Sequence, residues 1–168
     1  MTARRPPLWV IFVCWGNICR SPMAEQVARA WAAREGVDED DVVFDSAGVS
    51  DEEYGHRIDP RAARVLARHG YDPGTHRARD ITPEDIATAD LVVAAEPRHV
   101  SMMRRLVPGA TNLALLSDFD PAASAGQPLP DPWYGAADGF ESTLAAIEAA
   151  MPGLLDHVRT LLDDWTGR

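Results

Sequence analysis

Lysine is absent from this chain: all sixteen basic residues are arginine. That absence excludes Schiff-base chemistry and the lysine of a nucleotide-binding loop, and no GxxxxGK-S/T pattern occurs. Cysteine is nearly as scarce, with only Cys14 and Cys19. One pair so close in sequence cannot found a disulfide framework. Nor can it complete a zinc site, because no second pair of Cys or His ligands follows. No metal and no cofactor is therefore expected. Positive charge is in deficit: 26 acidic residues leave a formal charge of −10. Nucleic acid and anionic membrane are excluded as main partners. The acidic run Asp38 to Asp41 reads as a solvated loop. Long apolar runs are missing too. The segment Met1 to Pro7 is polar, proline-bearing and expected to be flexible. With neither a signal peptide nor a membrane span visible, a cytoplasmic location is expected.

What is present is an ordinary globular composition, 46% hydrophobic over 168 residues, enough for one domain spanning 1–168 with its own core. Strand and helix signals alternate. The apolar run Leu8 to Val13 suits a central parallel strand. Pro22 falls in the first turn of a helix that Gly36 ends near Glu35. Val42 to Ala47 reads as a second strand, followed by a polar loop from Gly48 to Ile58. A helix starts at Asp59 and Pro60 and stops before Gly70, and Thr82-Pro83-Glu84-Asp85 resembles a capping box. Leu91 to Ala95 is the third strand, Pro97 opens the next helix, and Thr111 to Leu116 is the fourth strand. A loop from Ser117 to Gly139 is long enough to be functional. Apolar residues from Phe140 to Trp165 then recur at helical spacing, with a bend or break expected at Pro152-Gly153. The pattern predicts an α/β fold: a four-stranded parallel sheet, doubly wound, with helices on both faces. Ligands of such sheets bind at the carboxyl ends of the strands.

The stretch VCWGNICRSPMAE, Val13 to Glu25, lies at that end of the first strand. Five residues between Cys14 and Arg20 can curl so that successive amides point inward as an anion nest, and the following helix adds its positive N-terminus. Arg20 can grip two phosphate oxygens at once. Cys14 then faces phosphorus, and the same donors stabilise its thiolate. The chemistry that follows is displacement at phosphate through a cysteinyl-phosphate. Ser21 can hydrogen-bond the sulfur or cap the helix, and Asn17 can hold an awkward loop conformation. Cys19, close to the nucleophile, is either a packed small residue or the partner in a reversible disulfide.

These residues resemble the signature of the low-molecular-weight protein tyrosine phosphatases. The resemblance runs from about Leu8 to Trp165, with DSAG (Asp45 to Gly48) and DPWYG (Asp131 to Gly135) in the expected order. It implies Cys14 as nucleophile, Arg20 as phosphate clamp and Asp131 as general acid. Phosphate and substrate would be bound by Trp15, Gly16, Asn17, Ile18, Cys19, Ser21, Trp133 and Tyr134. Ser46 and His76 would brace the loop. The substrate would be a phosphotyrosine-bearing protein or peptide, and inorganic phosphate the product, with no metal used. A phenolate leaving group needs a proton, which gives Asp131 independent chemical support.

Three departures bear on specificity. Trp15 stands where a small or aliphatic residue is usual. Glu52 occupies a place where an aromatic commonly packs on the substrate ring, and Tyr54 or Trp15 are candidates to replace it. Trp133 stands where the family has tyrosine. A protein-arginine phosphatase is the nearest rival, but such relatives carry Thr at the place of Ile18 and a small residue at that of Tyr134. An apolar slot of Ile18, Trp133 and Tyr134 suits a flat phenyl ring better. Arsenate reductase needs additional cysteines that this chain lacks. A non-catalytic phosphate-binding module would need neither Cys14 nor Asp131.

Overall fold

In a computed structural model, residues 5–136 and 138–166 are described, the side chains of Tyr134 and Thr166 excepted. The expectation of a flexible 1–7 thus falls partly on residues 1–4, outside the described residues. The first strand, β1 (Leu8–Cys14), leads into helix α1 (Arg20–Arg34), and β2 (Val42–Gly48) follows. Next come α2 (Pro60–Arg68), α3 (Pro83–Thr88), β3 (Leu91–Ala94), α4 (Pro97–Leu106) and β4 (Leu113–Leu115). Short 3₁₀ turns at Leu116–Phe119 and Pro132–Tyr134 precede the closing helix α5 (Asp138–Thr166).

Local chemistry accounts for these limits. Asp59 caps α2 by accepting from the Arg61 amide, with Pro60 at the first helical position. Thr82 and Asp85 form the reciprocal capping box expected for α3. Gly36 and Gly70 take positive φ just past α1 and α2, as glycines ending helices do.

All pairings are parallel, in the order β2-β1-β3-β4. Side chains of β1 alternate between two cores. Val10, Phe12 and Cys14 pack with α1, α2 and α5 residues such as Met23, Leu66 and Leu144. Ile11 and Val13 pack on the other face with Ile86, Val100 and Met103 of α3 and α4. Both faces are covered, so the strand is apolar throughout. The chain leaves β1 toward β2 on one side, then crosses back to β3 on the other. That reversal opens a crevice at the carboxyl ends of β1 and β3.

Helix α1 begins at Arg20, which leaves Pro22 in its first turn as expected. Other expectations need correction. Strand β4 is only Leu113–Leu115, and β3 ends at Ala94. The loop after β4 contains two 3₁₀ turns, because Asp118 and Asp131 each bond an amide nearby in the chain. Helix α5 is not broken at Pro152: it runs unbroken for 29 residues. Pro152 removes one amide from the ladder, yet the apolar stripe on both sides of it is buried against the sheet and holds the helix together. Gly153 is required there, since a Cβ would lie 2.2 Å from the Phe119 carbonyl oxygen. Trp165, counted in that stripe, is 42% exposed.

Candidate active site

In the loop between β1 and α1, the carbonyls of Trp15, Asn17, Ile18 and Cys19 each accept from a donor outside the cavity. Trp15 O accepts from Ser50 N, Ile18 O from Asp59 N and Cys19 O from Met23 N. Asn17 O accepts from His76 Nε2 at 2.5 Å, so that ring nitrogen carries the hydrogen. Among the described residues, no acceptor takes the amides of Gly16, Asn17, Ile18 or Cys19. Four donors in one short turn, beside the start of α1, form a concavity suited to an oxyanion.

Asn17 gives the turn its shape. It is the one described non-glycine residue at positive φ, +60°, a conformation that needs support from its surroundings. Its Nδ2 donates to Ser21 Oγ (2.8 Å) and Ser46 Oγ (3.0 Å), and its Oδ1 accepts from the Arg79 amide (3.0 Å). Ser46 donates onward to Glu25 Oε1 at 3.0 Å. Burial pushes the Glu25 carboxyl above its ordinary range, with Arg29 and Ser46 opposing. His76 is held below its ordinary value, chiefly by burial, which keeps it neutral as a donor to the Asn17 carbonyl. Gly48 completes the support. A Cβ there would meet Trp15 O at 2.7 Å and Asn17 N at 3.2 Å, so only glycine lets the loop lie against β2.

Cys14 sits buried at the end of β1 with its sulfur 3.0 Å from Ser21 Oγ. The helix N-cap is Cys19, without a side-chain bond, so Ser21 serves the sulfur and not the helix end. Asn17 already donates to Ser21 Oγ, which leaves the hydroxyl hydrogen for Cys14 or for the Ala47 carbonyl at 3.3 Å. A thiolate is the stronger acceptor of the two. Cys19 is also buried, and its thiol is driven strongly upward by burial and by Asp59. The Cys19 thiol is thus held protonated.

Arg20 is buried and fixed from three sides. Its guanidinium donates to Leu129 O (3.0 Å) and lies 3.3 Å from Glu96 Oε2 and 3.4 Å from Asp131 Oδ2. Glu96, the N-cap of α4, also receives Arg98 Nε at 2.9 Å. Burial alone would raise the Glu96 carboxyl, but Arg20 and Arg98 hold it below its ordinary value. Asp131 spends Oδ1 on the Trp133 amide and turns Oδ2 toward Arg20. The cavity over the loop is lined by Cys14, Trp15, Gly16, Ile18, Cys19, Arg20, Asp131 and Trp133, with Glu52 and Glu53 at its edge.

A cysteine-to-arginine loop of this form, with a carboxylate across the cavity, is what the family resemblance implied. The family model for low molecular weight phosphotyrosine protein phosphatase matches residues 9–163. The chain belongs to that family. A low molecular weight protein-tyrosine-phosphatase of Streptomyces coelicolor is 46% identical over 89% of this chain and 93% of its own length. Among solved structures, a protein tyrosine phosphatase from Entamoeba histolytica superposes with TM-score 0.85 at 26% identity, covering 91% of this chain and 97% of that one. The YwlE arginine phosphatase, in a form with a phosphorylated active-site serine, gives TM-score 0.79 at 27% identity, covering 90% and 96%.

Within this phosphatase the residues expected at the site fall into two groups. Asn17, Ser21, Ser46 and His76 do not face the cavity; they brace the loop from behind. Trp15, Gly16, Ile18, Cys19 and Trp133 line it. The Tyr134 side chain lies outside the described residues. Tyr54 is 68% exposed and away from the cavity lining. Sequence reasoning missed Glu96, Gly48, Arg79 and Glu25. Gly48 and Glu25 carried a signal, as the last letters of DSAG and of VCWGNICRSPMAE. Among the described residues, no helix is long and apolar enough to cross a membrane, and no cluster of carboxylates, histidines and cysteines is grouped to hold a metal.

Proposed function

We propose that this phosphatase hydrolyses phosphotyrosine in proteins or peptides through a cysteinyl-phosphate. Cys14 Sγ attacks phosphorus while Arg20 and the loop amides hold the non-bridging oxygens. The bond to the phenolic oxygen breaks as Asp131 donates a proton to it. In the second step Asp131 takes a proton from water, which attacks phosphorus, and the Cys14 sulfur leaves with Ser21 hydrogen-bonded to it. Inorganic phosphate is the product. The observation that carries the reading is the loop whose carbonyls at Trp15, Asn17, Ile18 and Cys19 are engaged and whose amides, from Gly16 to Cys19, have no acceptor among the described residues beside Cys14. A non-catalytic module would have no use for Cys14 held by Ser21, or for Asp131 turned toward the same cavity.

Likeness to an arginine phosphatase keeps phosphoarginine as a second candidate substrate. Ile18 and Trp133 in the cavity wall favour a phenyl ring over a polar guanidine. Free thiols suit a reducing cytoplasm, where we place its action. The test is hydrolysis of matched phosphotyrosine, phosphoserine and phosphoarginine peptides in the presence of a chelator. Phosphotyrosine is expected to be turned over fastest by kcat/KM; preference for either of the others overturns the assignment.

A further inference from the structure

The loop accounts for phosphate but not for the group that bears it. Trp15, directly after the nucleophile, projects into the wall of the cavity and is held at two places. Its indole Nε1 donates to Glu52 Oε2 at 3.2 Å. The Arg98 guanidinium lies over the indole, 5.0 Å from the ring centroid. Arg98 is itself anchored by Glu96, the carboxylate that also meets Arg20. Trp133, in the same cavity lining, has a parallel arrangement: Arg61 lies 5.3 Å from its ring centroid and is tied to Asp59 at 2.8 Å. Each tryptophan of the cavity is therefore backed by an arginine that a carboxylate fixes. A guanidinium suits this use because its plane can stack on a ring while its edge bonds a carboxylate.

Arg98 covers one face of the Trp15 indole. The ring lines the cavity, so the other face is available to a planar group carrying the phosphate. We infer that Trp15 is a specificity-determining wall of the substrate slot, and that Arg98 and Glu52 are positioning residues that act through it. The favoured ligand class is an aryl phosphate whose ring stacks between the loop and the rim, which rests on the phosphotyrosine reading above. Because Glu52 is engaged with the indole, its carboxylate serves the wall instead of standing free at the mouth.

The test compares an aryl substrate with an anion that has no ring. Trp15→Ala is expected to raise KM for a phosphotyrosine peptide about tenfold. Its kcat and the inhibition constant of vanadate should stay within about twofold, which also shows that the loop is folded. Trp15→Phe should recover most of the loss. Arg98→Ala and Glu52→Gln should each raise KM about threefold in the native background, yet add nothing in the Trp15→Ala background. Parallel loss of vanadate affinity in Trp15→Ala overturns the inference, since the residue would then shape the phosphate loop. Full additivity of Arg98→Ala with Trp15→Ala overturns the positioning role, because Arg98 would then act through Glu96 and Arg20. Wild-type preference for phosphoarginine would show up separately, in the native enzyme, as failure of the phosphotyrosine reading itself.

Discussion

The floor and the rim of this active site are built by opposite means. Asn17, Arg20, Ser21 and Ser46 in the floor are at most 2% exposed, and their polar atoms are spent on one another, on backbone or on neighbouring carboxylates. Trp133 in the rim is 43% exposed, and the rim arginines lie over their tryptophans at 5.3 and 5.0 Å from the ring centroids. A buried hydrogen-bond network penalises any change that strands a donor or acceptor. A half-exposed stack tolerates replacement by another planar group. On the proposed mechanism, phosphate chemistry is lodged where the sequence has little freedom, and substrate choice where it has much.

The comparison breaks most severely at Cys14. Cys14→Ser should lower kcat by about 10⁵-fold or more while vanadate still binds; retained hydrolysis would remove the covalent step. Asp131→Asn should cost about 10³-fold on phosphotyrosine and far less on aryl phosphates with good leaving groups. Equal losses on both would make Asp131 a structural cap of the turn at Trp133.

A pH test probes the polar ground beneath the clamp. His99 is fully buried with Nε2 3.1 Å from Glu96, and burial followed by Arg20 lowers its pKa from 6.5 to about 4. Between those values the unfolded imidazole binds a proton that the folded one refuses. Stability should therefore fall as pH drops from about 6.5 to about 4, by about 3 kcal/mol from this group. His76 acts in the same direction and Glu25 in the opposite one, so the difference between wild type and His99→Asn isolates the effect. Denaturant titrations across that range should show a flatter pH profile for the variant; matching profiles would discard the idea. The smallest effect is expected at Gly48→Ala. Its Cβ must displace backbone at Trp15 and Asn17, costing about 2 kcal/mol of stability and about tenfold in activity. Full activity would mean that the loop can shift without harm.

The sheet was legible because β1 and β3 are short, wholly apolar runs and the helix starts carry Asp59-Pro60 and Thr82-Pro83. The floor was legible because its chemistry is compressed into consecutive residues, Cys14 to Ser21. Glu96 escaped because a carboxylate before a proline reads as an ordinary helix start, and its partner Arg20 lies 76 positions away. The continuity of α5 escaped because the packing that carries a helix through Pro152 is tertiary. At the rim, the sequence raised Trp15 and Glu52 as oddities. That one holds the other depends on a contact across 37 positions, which no local pattern announces.

The supports of Asn17 also set an order of events in folding. They come from Ser46, His76 and Arg79, up to 62 positions along the chain. Asn tolerates the left-handed region better than most residues, but this turn is fixed only by those partners, so the loop between β1 and α1 is expected to settle after the segment that ends at Arg79 has docked. In refolding, closure of the loop around Cys14 should therefore trail the formation of the β1–β2 pair. The loop from Cys14 to Arg20, written at the start of the sequence, thereby takes its final shape only once the middle of the chain is in place.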